Sequence, residues 1–337
     1  ILAAVFALLV SERMRPDLVA AQSVLALAVT RILSPEEALS GFSSEPAIVI
    51  AAIFVLSAGF RHTGLSDLLG RWAGRLAGKS LLQHVLDAAA QLGAARIVVV
   101  TGHGAEAVEA AARAPNLAFV RQQPQLGTGH AVQQAVPLLA DGGTTLILNG
   151  DVPLIEAATA GALVAACAGD KLALLTVELD DPRGYGRVLR GDPIGRNAQE
   201  GGRIRRIVED KDASPADRAI REVYTGVMAA PTAALKRWLG ALRNDNAQRE
   251  YYLTDVVAAA VAEGMPVVAA HPASSAEVLG VNSPLQLAEL ERLLQRRRAD
   301  ALLESGVRLA DPSRIELRGE LACGMDVEID VGCVFEG

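Results

Sequence analysis

The sequence predicts an α/β protein built on a mixed, mostly parallel sheet, and two observations lead to this prediction. Short apolar runs at 97–100, 145–148 and 172–177 alternate with segments whose apolar residues recur at helical spacing, which is the pattern of βαβ units. Aromatic residues make up only 4% of the chain, and this composition favours helix–sheet packing over a β-sandwich.

One strand end organises the rest of the chain. The apolar run 145–148 predicts a buried parallel strand. It is followed by Asn149, Gly150 and Asp151, and Pro153 prevents the strand from continuing. Ligands of open α/β sheets bind beyond the carboxyl ends of strands, so Asp151 is expected where a metal–phosphate group would be met. The alternative is that Asp151 only caps the next helix, and this stretch alone leaves both interpretations open.

Composition limits the class of protein. The chain has 337 residues, enough for two domains, and a net charge of -7, which argues against a nucleic-acid binder. Cys167, Cys323 and Cys333 match neither a disulfide framework nor a zinc pattern, so a reducing compartment is expected. The first residue is Ile1 rather than Met, which predicts a fragment of a longer protein.

Residues 1–75 differ in character from the rest. The apolar runs 1–10, 18–30 and 47–60 are each shorter than the roughly 20 residues that a membrane-spanning helix needs. They fit shortened or re-entrant membrane segments, or buried helices of a soluble core. Four phrases in this segment resemble the start of divalent-anion/sodium symporter permeases: Arg15–Val19, Leu33–Ser43, Phe54–Gly59 and Thr63–Leu65.

From about residue 76, helices and strands alternate. Ser80 predicts the N-cap of a helix that Gly93 ends. Ser283 and Pro284 predict the start of a long helix that closes at Gly306. Further strands are predicted at 117–120, 204–208, 224–227 and 278–282. From residue 315 the alternation of apolar residues with Gly and Asp predicts the first coil of a parallel β-helix.

Several polar residues carry the chemistry that nucleotidyl transfer needs. Gln122 and the Gly127–Thr128 loop offer an amide, a hydroxyl and backbone N–H groups that suit the edge of a pyrimidine. Asp151 offers a hard oxygen ligand, and Asn282, expected at the end of another strand, offers a second. Mg²⁺ usually takes one or two protein oxygens together with water and phosphate.

A second group of residues suits an acceptor sugar. Gly186, Glu209 and the Tyr224–Thr225 backbone could hold sugar hydroxyls and an acetamido group. Each residue alone has an ordinary explanation, since an Asn before a helix is usually a turn residue. Only the occurrence of these residues together, in this order, favours a functional role over the ordinary structural ones.

Six motifs occur in one order between residues 76 and 337. They are Leu76–Lys79, Gln125–Ala131, Gly150–Leu154, Gly184–Arg187, Val208–Ala213 and Glu250–Asp255. In this order and spacing they resemble the bifunctional N-acetylglucosamine-1-phosphate uridyltransferase/glucosamine-1-phosphate acetyltransferase (GlmU) family.

The resemblance implies a fold and a reaction. The implied fold is a Rossmann-like nucleotidyltransferase domain, followed by a long helix and the start of a left-handed parallel β-helix. The implied reaction is uridylyl transfer from UTP to N-acetylglucosamine 1-phosphate. It gives pyrophosphate and UDP-N-acetylglucosamine, a precursor of peptidoglycan and lipopolysaccharide. The implied cofactor is Mg²⁺, the implied location is cytoplasmic, and the implied assembly is a homotrimer built largely by the β-helix.

The resemblance also implies roles for individual residues. The nucleotide would be contacted by Gln122, Gly127, Thr128, Asn149, Gly150 and Asp151. Asp151 and Asn282 would hold the metal and are the implied catalytic residues. The sugar would be contacted by Gly186, Glu209, Tyr224 and Asn282. Many members have Asn where this chain has Tyr224, so this position departs from the family pattern.

The larger departure is at the front. The family begins with a strand, a Gly-rich loop and a Pro–Lys pair that cradle the triphosphate, whereas here residues 1–75 occupy that place. Removing one preorganised donor from such a site costs roughly a hundredfold or more in rate, so we expect little or no catalysis by this chain. The acetyltransferase half is expected to be absent beyond its first strands.

These expectations divide the chain into four parts. They are a permease-like segment at 1–75, the uridyltransferase domain at 76–282, a linker helix at 283–306 and the start of the β-helix at 307–337. The competing hypothesis is a fragment of a membrane anion transporter that carries a non-catalytic UDP-sugar-binding domain. Under that hypothesis residues 1–75 would contact a membrane.

Overall fold

The structure is a computed structural model that describes residues 75–191 and 202–337. The chain divides into two compact units, 1–72 and 73–337, and the described residues belong to the second. The permease-like segment predicted at 1–75 therefore lies outside the described residues, apart from its last position. Among the residues that are described, no helix is both long and apolar enough to cross a membrane.

The second unit alternates helices and strands, as the apolar pattern predicts. Its α-helices are α1 (Leu81–Gln91), α2 (Ala105–Ala111), α3 (Thr128–Ala135), α4 (Ala157–Cys167), α5 (Pro215–Arg218), α6 (Thr232–Gly240), α7 (Asp255–Ala262) and α8 (Pro284–Glu304). Its strands are β1 (Arg75–Leu76), β2 (Lys79–Ser80), β3 (Ile97–Thr101), β4 (Leu117–Arg121), β5 (Thr144–Ile147), β6 (Leu172–Glu178), β7 (Gly186–Arg190), β8 (Ile204–Val208), β9 (Glu222–Pro231), β10 (Val267–Ala270), β11 (Arg308–Leu309), β12 (Glu316–Arg318), β13 (Glu328–Ile329) and β14 (Val334–Glu336).

Local sequence signals set several of these boundaries. The Ser80 hydroxyl accepts a hydrogen bond of 3.2 Å from the Gln83 backbone N–H and so caps α1, as predicted. The Ser283 hydroxyl caps α8 in the same way, and Pro284 occupies the first turn, where no N–H is needed.

The main sheet is mixed and has six strands. Its order is β10–β6–β9–β7–β8, and β5 also pairs with β9. β10 runs parallel to β6, whereas β9 runs antiparallel to β5, β6 and β7. Among the described residues, β3 and β4 form a separate parallel pair.

The pairing of β5 corrects one prediction. The apolar run at 145–148 was expected to form a buried parallel strand, but β5 pairs antiparallel with β9 and is only half-buried. The reason is that β9 enters the sheet beside β5 after the chain has made the β7–β8 hairpin. The apolar run alone does not indicate whether a partner strand so distant in sequence pairs with it in the parallel or the antiparallel direction.

Two hydrophobic clusters cover the two faces of this sheet. Leu172 and Leu174 of β6 belong to one cluster, while Ala173 and Leu175 belong to the other, because successive side chains of a strand point to opposite faces. Helices α6 and α7 pack on the first face, and α1 and α4 pack on the second. The result is the helix–sheet–helix arrangement of an α/β fold, which confirms the predicted class.

The chain beyond α8 passes through two short parallel ladders. β11 pairs with β13 and β12 pairs with β14, so successive passes of the chain lie side by side in parallel. A cluster that includes Leu302, Ile315 and Leu317 joins the end of α8 to these passes. This is the pairing that a coil of a parallel β-helix requires, and its left-handed sense stays a prediction.

The buried face of α6 provides a test of this packing. Leu235 is 0% exposed, so L235A leaves a cavity between α6 and the sheet and should lower the free energy of unfolding by about 2–5 kcal/mol. The matched control is L285A, because Leu285 is 70% exposed, and it should change stability by less than about 0.5 kcal/mol. Urea unfolding followed by circular dichroism measures both, and equal effects would contradict the assigned packing.

Candidate functional site

Asp151 lies in the turn after β5 and is exposed. Its backbone carbonyl accepts a hydrogen bond of 3.0 Å from the Val281 N–H, so the turn at 280–282 lies against it. A Cβ on Gly280 would sit 3.5 Å from Asp151 Oδ2, which shows how closely the carboxylate approaches that backbone. Helix α4 has Glu156 as its N-cap, so the alternative role of Asp151 as a helix cap is excluded.

Asn282 lies in the turn that contacts Asp151, but the element that precedes this turn is not the predicted strand. The segment before it was predicted as a strand; instead Ser275–Val278 is a 3-10 helix and residues 279–282 join no strand. The reason is local, since Ser274 and Glu277 form a capping box that turns the backbone. Asn282 is exposed, and its backbone N–H donates to Gln286 Oε1 at 2.7 Å.

The two donors suit a hard cation. Asp151 offers a carboxylate that has no side-chain hydrogen bond to any described residue, and Asn282 offers an amide oxygen in the adjoining turn. Within the described part of the chain, no group of three or more His, Cys, Asp or Glu residues could hold a metal. Asp151 and Asn282 would supply the one or two protein oxygens that Mg²⁺ usually takes together with water and phosphate.

The predicted base-reading loop is held in a single shape. The Gln122 side chain lies inside the loop, where its Nε2 donates to the Gly127 carbonyl at 2.9 Å and lies 3.1 Å from His130 Nδ1. Gly127 has a φ of +101°, and a Cβ there would come within 2.8 Å of the Tyr251 carbonyl oxygen. Glycine is required at this position because both the backbone angle and the close approach exclude a side chain.

The same loop is hydrogen-bonded to the segment before α7. The Gly129 N–H donates to the Tyr251 carbonyl at 2.7 Å, and the Tyr251 N–H donates to the Leu126 carbonyl at 2.8 Å. The Leu253 N–H donates to the Thr128 hydroxyl at 3.2 Å, which leaves the hydroxyl proton of Thr128 available. Residues 126–129 and 251–253 are therefore one hydrogen-bonded unit.

Asn149 and Gly150 have different surroundings. The Asn149 amide donates to the Thr225 carbonyl of β9 at 3.3 Å, so it fixes the turn to the sheet. Gly226 has a φ of +88°, and a Cβ at Gly226 would collide with the Asn149 amide. Gly150 is exposed beside Asp151.

Three of the four predicted sugar residues meet at one end of β7, whereas the fourth, Asn282, lies in the 280–282 turn. Gly186 pairs with Tyr224 across the β7–β9 ladder, and a Cβ on Gly186 would lie 3.7 Å from Glu209 Oε2. The Thr254 hydroxyl donates to Glu209 Oε1 at 2.8 Å. The structure thus brings together Gly186, Glu209 and Tyr224, which the sequence separates.

Burial controls the electrostatics of this end. Burial raises the pKa of Glu209, and the negative charges of Asp255, Asp212 and Asp210 raise it further against the lowering effect of the Thr254 hydrogen bond. Burial also raises the pKa of Tyr224 well above its usual value, with a contribution from the Glu209 charge. The Tyr224 hydroxyl is buried and has no hydrogen-bond partner among the described residues.

Sequence reasoning missed Arg187, a buried cation beside the predicted sugar residues. Arg187 is 1% exposed, donates to Asp210 at 2.9 Å and also donates to the Tyr185 carbonyl. Burial raises the pKa of Tyr185, and the negative charge of Asp151 makes a smaller contribution in the same direction. The position of Arg187 in the motif 184–187 could have indicated a role for it, but the sequence alone does not distinguish a buried arginine from a surface one.

Proteins of known function were compared with the chain. The bifunctional protein GlmU of Methylibium petroleiphilum is 72% identical over 266 residues, which cover 78% of this chain and 57% of that protein. The GlmU of Polaromonas naphthalenivorans is 56% identical over 292 residues, covering 85% of this chain and 60% of that protein. The chain therefore spans about three-fifths of the length of these relatives.

A solved structure has the same fold. The crystal structure of UDP-glucose pyrophosphorylase complexed with UDP-glucose superposes with a TM-score of 0.51 at 15% sequence identity. The match covers 67% of this chain and 90% of that chain, and at this identity it shows the fold alone. It agrees with the predicted Rossmann-like nucleotidyltransferase fold.

Two family models match the chain. The citrate transporter model matches residues 6–101, in agreement with the transporter-like character predicted for the first segment. Its described part, 75–101, forms β1, β2, α1 and β3 of the second unit. The model of the MobA-like NTP transferase domain matches residues 72–311, which is more than half of the chain and contains every predicted site residue. The chain therefore belongs to the MobA-like NTP transferase domain family.

Proposed function

We propose that this chain serves uridylyl transfer from UTP to N-acetylglucosamine 1-phosphate, with UDP-N-acetylglucosamine and pyrophosphate as products. The observation that carries the proposal is the contact between the Asp151 turn and the 280–282 turn through the Val281–Asp151 hydrogen bond. It joins two turns that carry hard oxygen donors from distant parts of the sequence, and the Asn149 amide ties the first of these turns to Thr225, the neighbour of Tyr224 on β9. The similarity to proteins named GlmU supports the choice of substrates.

The proposed cation is Mg²⁺, held by Asp151 and Asn282. Carboxylate and amide oxygens are ligands that Mg²⁺ accepts, and its remaining positions would be filled by water and phosphate. A bound Mg²⁺ would offset negative charge on the α-phosphate. Asp151 and Asn282 are the residues to which we assign this task.

The proposed nucleotide contacts come from Gln122, Gly127, Thr128 and the Asn149–Gly150 turn. The side-chain Nε2 of Gln122 already makes contacts within the loop. The side-chain oxygen Oε1 is therefore the atom left to accept a hydrogen bond from the uracil N3–H. The Thr128 hydroxyl already accepts from Leu253, so its proton can be donated to a uracil carbonyl. Asn149 acts here by holding Gly150 and Asp151 in place.

The proposed acceptor contacts come from Gly186, Glu209 and Tyr224. The backbone of Gly186 and the Glu209 carboxylate lie close enough together to hold neighbouring sugar hydroxyls. The buried Tyr224 hydroxyl is a donor without a partner among the described residues, and such a group costs about 1–3 kcal/mol unless it is satisfied. We assign it to the acceptor pocket that Glu209 lines.

The proposed chemistry leaves the covalent steps to the substrates. An oxygen of the sugar phosphate attacks the α-phosphorus in line, the new P–O bond forms, and the bond to the α–β bridging oxygen breaks to release pyrophosphate. The protein contributes position and charge stabilisation. The earlier expectation of little or no turnover by this chain stays a prediction, so ligand binding is the first measurement to make.

Location and assembly are further parts of the proposal. We propose a cytoplasmic location, where UTP is available, and a homotrimer as in the family that the sequence resembles. The transporter hypothesis is not favoured, because the nucleotidyltransferase model covers 72–311 and the transporter model covers 6–101. The predicted membrane contact of 1–75 lies outside the described residues, except at its last position.

Calorimetric titration of the chain with UDP-N-acetylglucosamine in the presence of Mg²⁺ tests the proposal directly. We expect saturable binding that uridine diphosphate reproduces more weakly and that ADP-glucose does not compete with. Pyrophosphate release from UTP and N-acetylglucosamine 1-phosphate then measures turnover. Absence of binding by either uridine ligand would contradict the proposed function.

Asp151 should be responsible for the metal dependence of binding. D151N removes the charge but keeps the shape, so we expect the gain in UDP-N-acetylglucosamine affinity on adding Mg²⁺ to fall about tenfold or more. The matched control is D141N, because Asp141 is exposed and pairs with Lys236. An undiminished Mg²⁺ effect in D151N would remove Asp151 from the metal site.

We expect the ionised Glu209 carboxylate to lower the stability of the fold and to raise the affinity for UDP-N-acetylglucosamine. Its raised pKa means that the ionised carboxylate opposes folding at neutral pH, so E209Q should unfold at a higher temperature than the wild type at pH 7. The difference should shrink as the pH falls through the raised pKa, because the wild-type carboxyl is then protonated as well. The affinity for UDP-N-acetylglucosamine should fall about tenfold in E209Q, since a charged acceptor is lost.

Thermal unfolding at several pH values and calorimetry at pH 7 measure the two effects. A variant that loses stability and keeps its affinity would show that Glu209 is structural rather than a ligand contact.

A further inference from the structure

Thr254 makes an unusual choice of hydrogen-bond partner. It occupies the N-cap position of α7, where a threonine hydroxyl ordinarily accepts from the backbone of its own helix. Here the Thr254 backbone is itself helical (φ -61°, ψ -21°) and the hydroxyl makes no such cap; it donates to Glu209 Oε1 at 2.8 Å.

The segment that carries Thr254 also carries the hydrogen bonds to the base-reading loop. The neighbouring Leu253 N–H donates to the Thr128 hydroxyl at 3.2 Å. Two more bonds join Tyr251 to Leu126 and Gly129 at 2.8 and 2.7 Å. The 251–254 segment therefore runs without interruption from the nucleotide loop to the acceptor carboxylate.

The Thr254 contact is partly buried. Thr254 is 5% exposed, and Leu253 and Tyr252 beside it are also buried. A hydrogen bond to a carboxylate that is shielded from water is stronger than one at the surface, and it restricts the carboxylate to one orientation. The other Glu209 oxygen, Oε2, is the one that faces Gly186.

We propose that Thr254 is a positioning residue: its hydroxyl fixes the Glu209 carboxylate so that Oε2 faces the acceptor sugar, and the 251–253 hydrogen bonds tie that orientation to the nucleotide loop. This inference rests on the proposed function, because it assigns the acceptor sugar to Glu209. It adds a residue that touches no substrate and acts through Glu209.

The charges around Glu209 give the inference a pH signature. Asp210 and Asp212 face Glu209 from its own turn, Asp255 faces it from α7, and Tyr224 faces it from β9. The three carboxylates raise the Glu209 pKa, and the Thr254 hydroxyl opposes them. Without that hydroxyl we expect the Glu209 pKa to rise further, so that the carboxylate is protonated at a higher pH and becomes a weaker acceptor for the sugar.

The test compares T254V and T254S in the full chain, with uridine diphosphate and UDP-N-acetylglucosamine as probes. T254V keeps the size of the side chain and removes the hydroxyl, whereas T254S keeps the hydroxyl. T159V is the matched control, because Thr159 is a buried threonine on α4, which packs on the other face of the sheet. Calorimetry from pH 5 to pH 8 gives the affinities.

We expect T254V to bind UDP-N-acetylglucosamine about five- to tenfold more weakly and uridine diphosphate within twofold of the wild type. The pH at which UDP-N-acetylglucosamine affinity is half lost should move upward in T254V. T254S should restore both the affinity and the pH midpoint, and T159V should change neither. If T254V does not fold, T254A and T254S form the comparison instead.

Two results would overturn the inference without touching the proposed function. In the first, the wild type binds UDP-N-acetylglucosamine, and T254V binds it equally well with an unchanged pH midpoint. In the second, T254V weakens both probes equally, which would mean that Thr254 only supports the fold. Failure of the wild type to bind either probe would overturn the proposed function and this inference together.

Discussion

The hydrogen bonding of strand β9 to three neighbours is the constraint on which the site depends. β9 pairs antiparallel with β5, β6 and β7, so it sets the relative position of the turn after β5 and the start of β7. The Asn149 amide uses the Thr225 carbonyl of this strand, and Tyr224 lies opposite Gly186. A single strand therefore positions both the Asn149–Asp151 turn and Gly186.

A second set of bonds runs outside the sheet. The loop at 126–129 would be free to move if only α3 held it, but the segment before α7 ties it down through backbone atoms and the Thr128 hydroxyl. Because most of these bonds use main-chain atoms, side-chain changes in the segment leave them intact. Side-chain changes in the loop are different at Gly127 and Gly129, because a Cβ at either residue would come within 2.8 Å of the Tyr251 carbonyl oxygen.

Much of the fold was predictable from the sequence because its signals are local. The apolar run at 97–100 becomes β3, Ser80 and Ser283 cap the helices assigned to them, and the 204–208 strand has the predicted bounds. The antiparallel pairing of β5 was not predictable, since its partner lies far along the chain.

The site was predictable in composition but less so in geometry. The motifs named Asp151, Glu209 and Gly186, and the structure brings the latter two together. Nothing in the sequence distinguished Thr254 from an ordinary helix cap. The bend that brings residues 279–282 to Asp151 was also missed, because the capping box of Ser274 and Glu277 competes with an apolar pattern that favours a strand.

The burial of the Arg187 guanidinium limits the effect of ionic strength on the hydrogen bonds that it makes. Mobile ions screen charges that water reaches, such as the exposed Arg183–Asp181 pair, and leave buried pairs nearly unaffected. Arg187 is 1% exposed, so its bonds to Asp210 and to the Tyr185 carbonyl should persist in concentrated salt. The contacts beside Gly186 are thus fixed by an ion pair that depends little on the salt content of the cell.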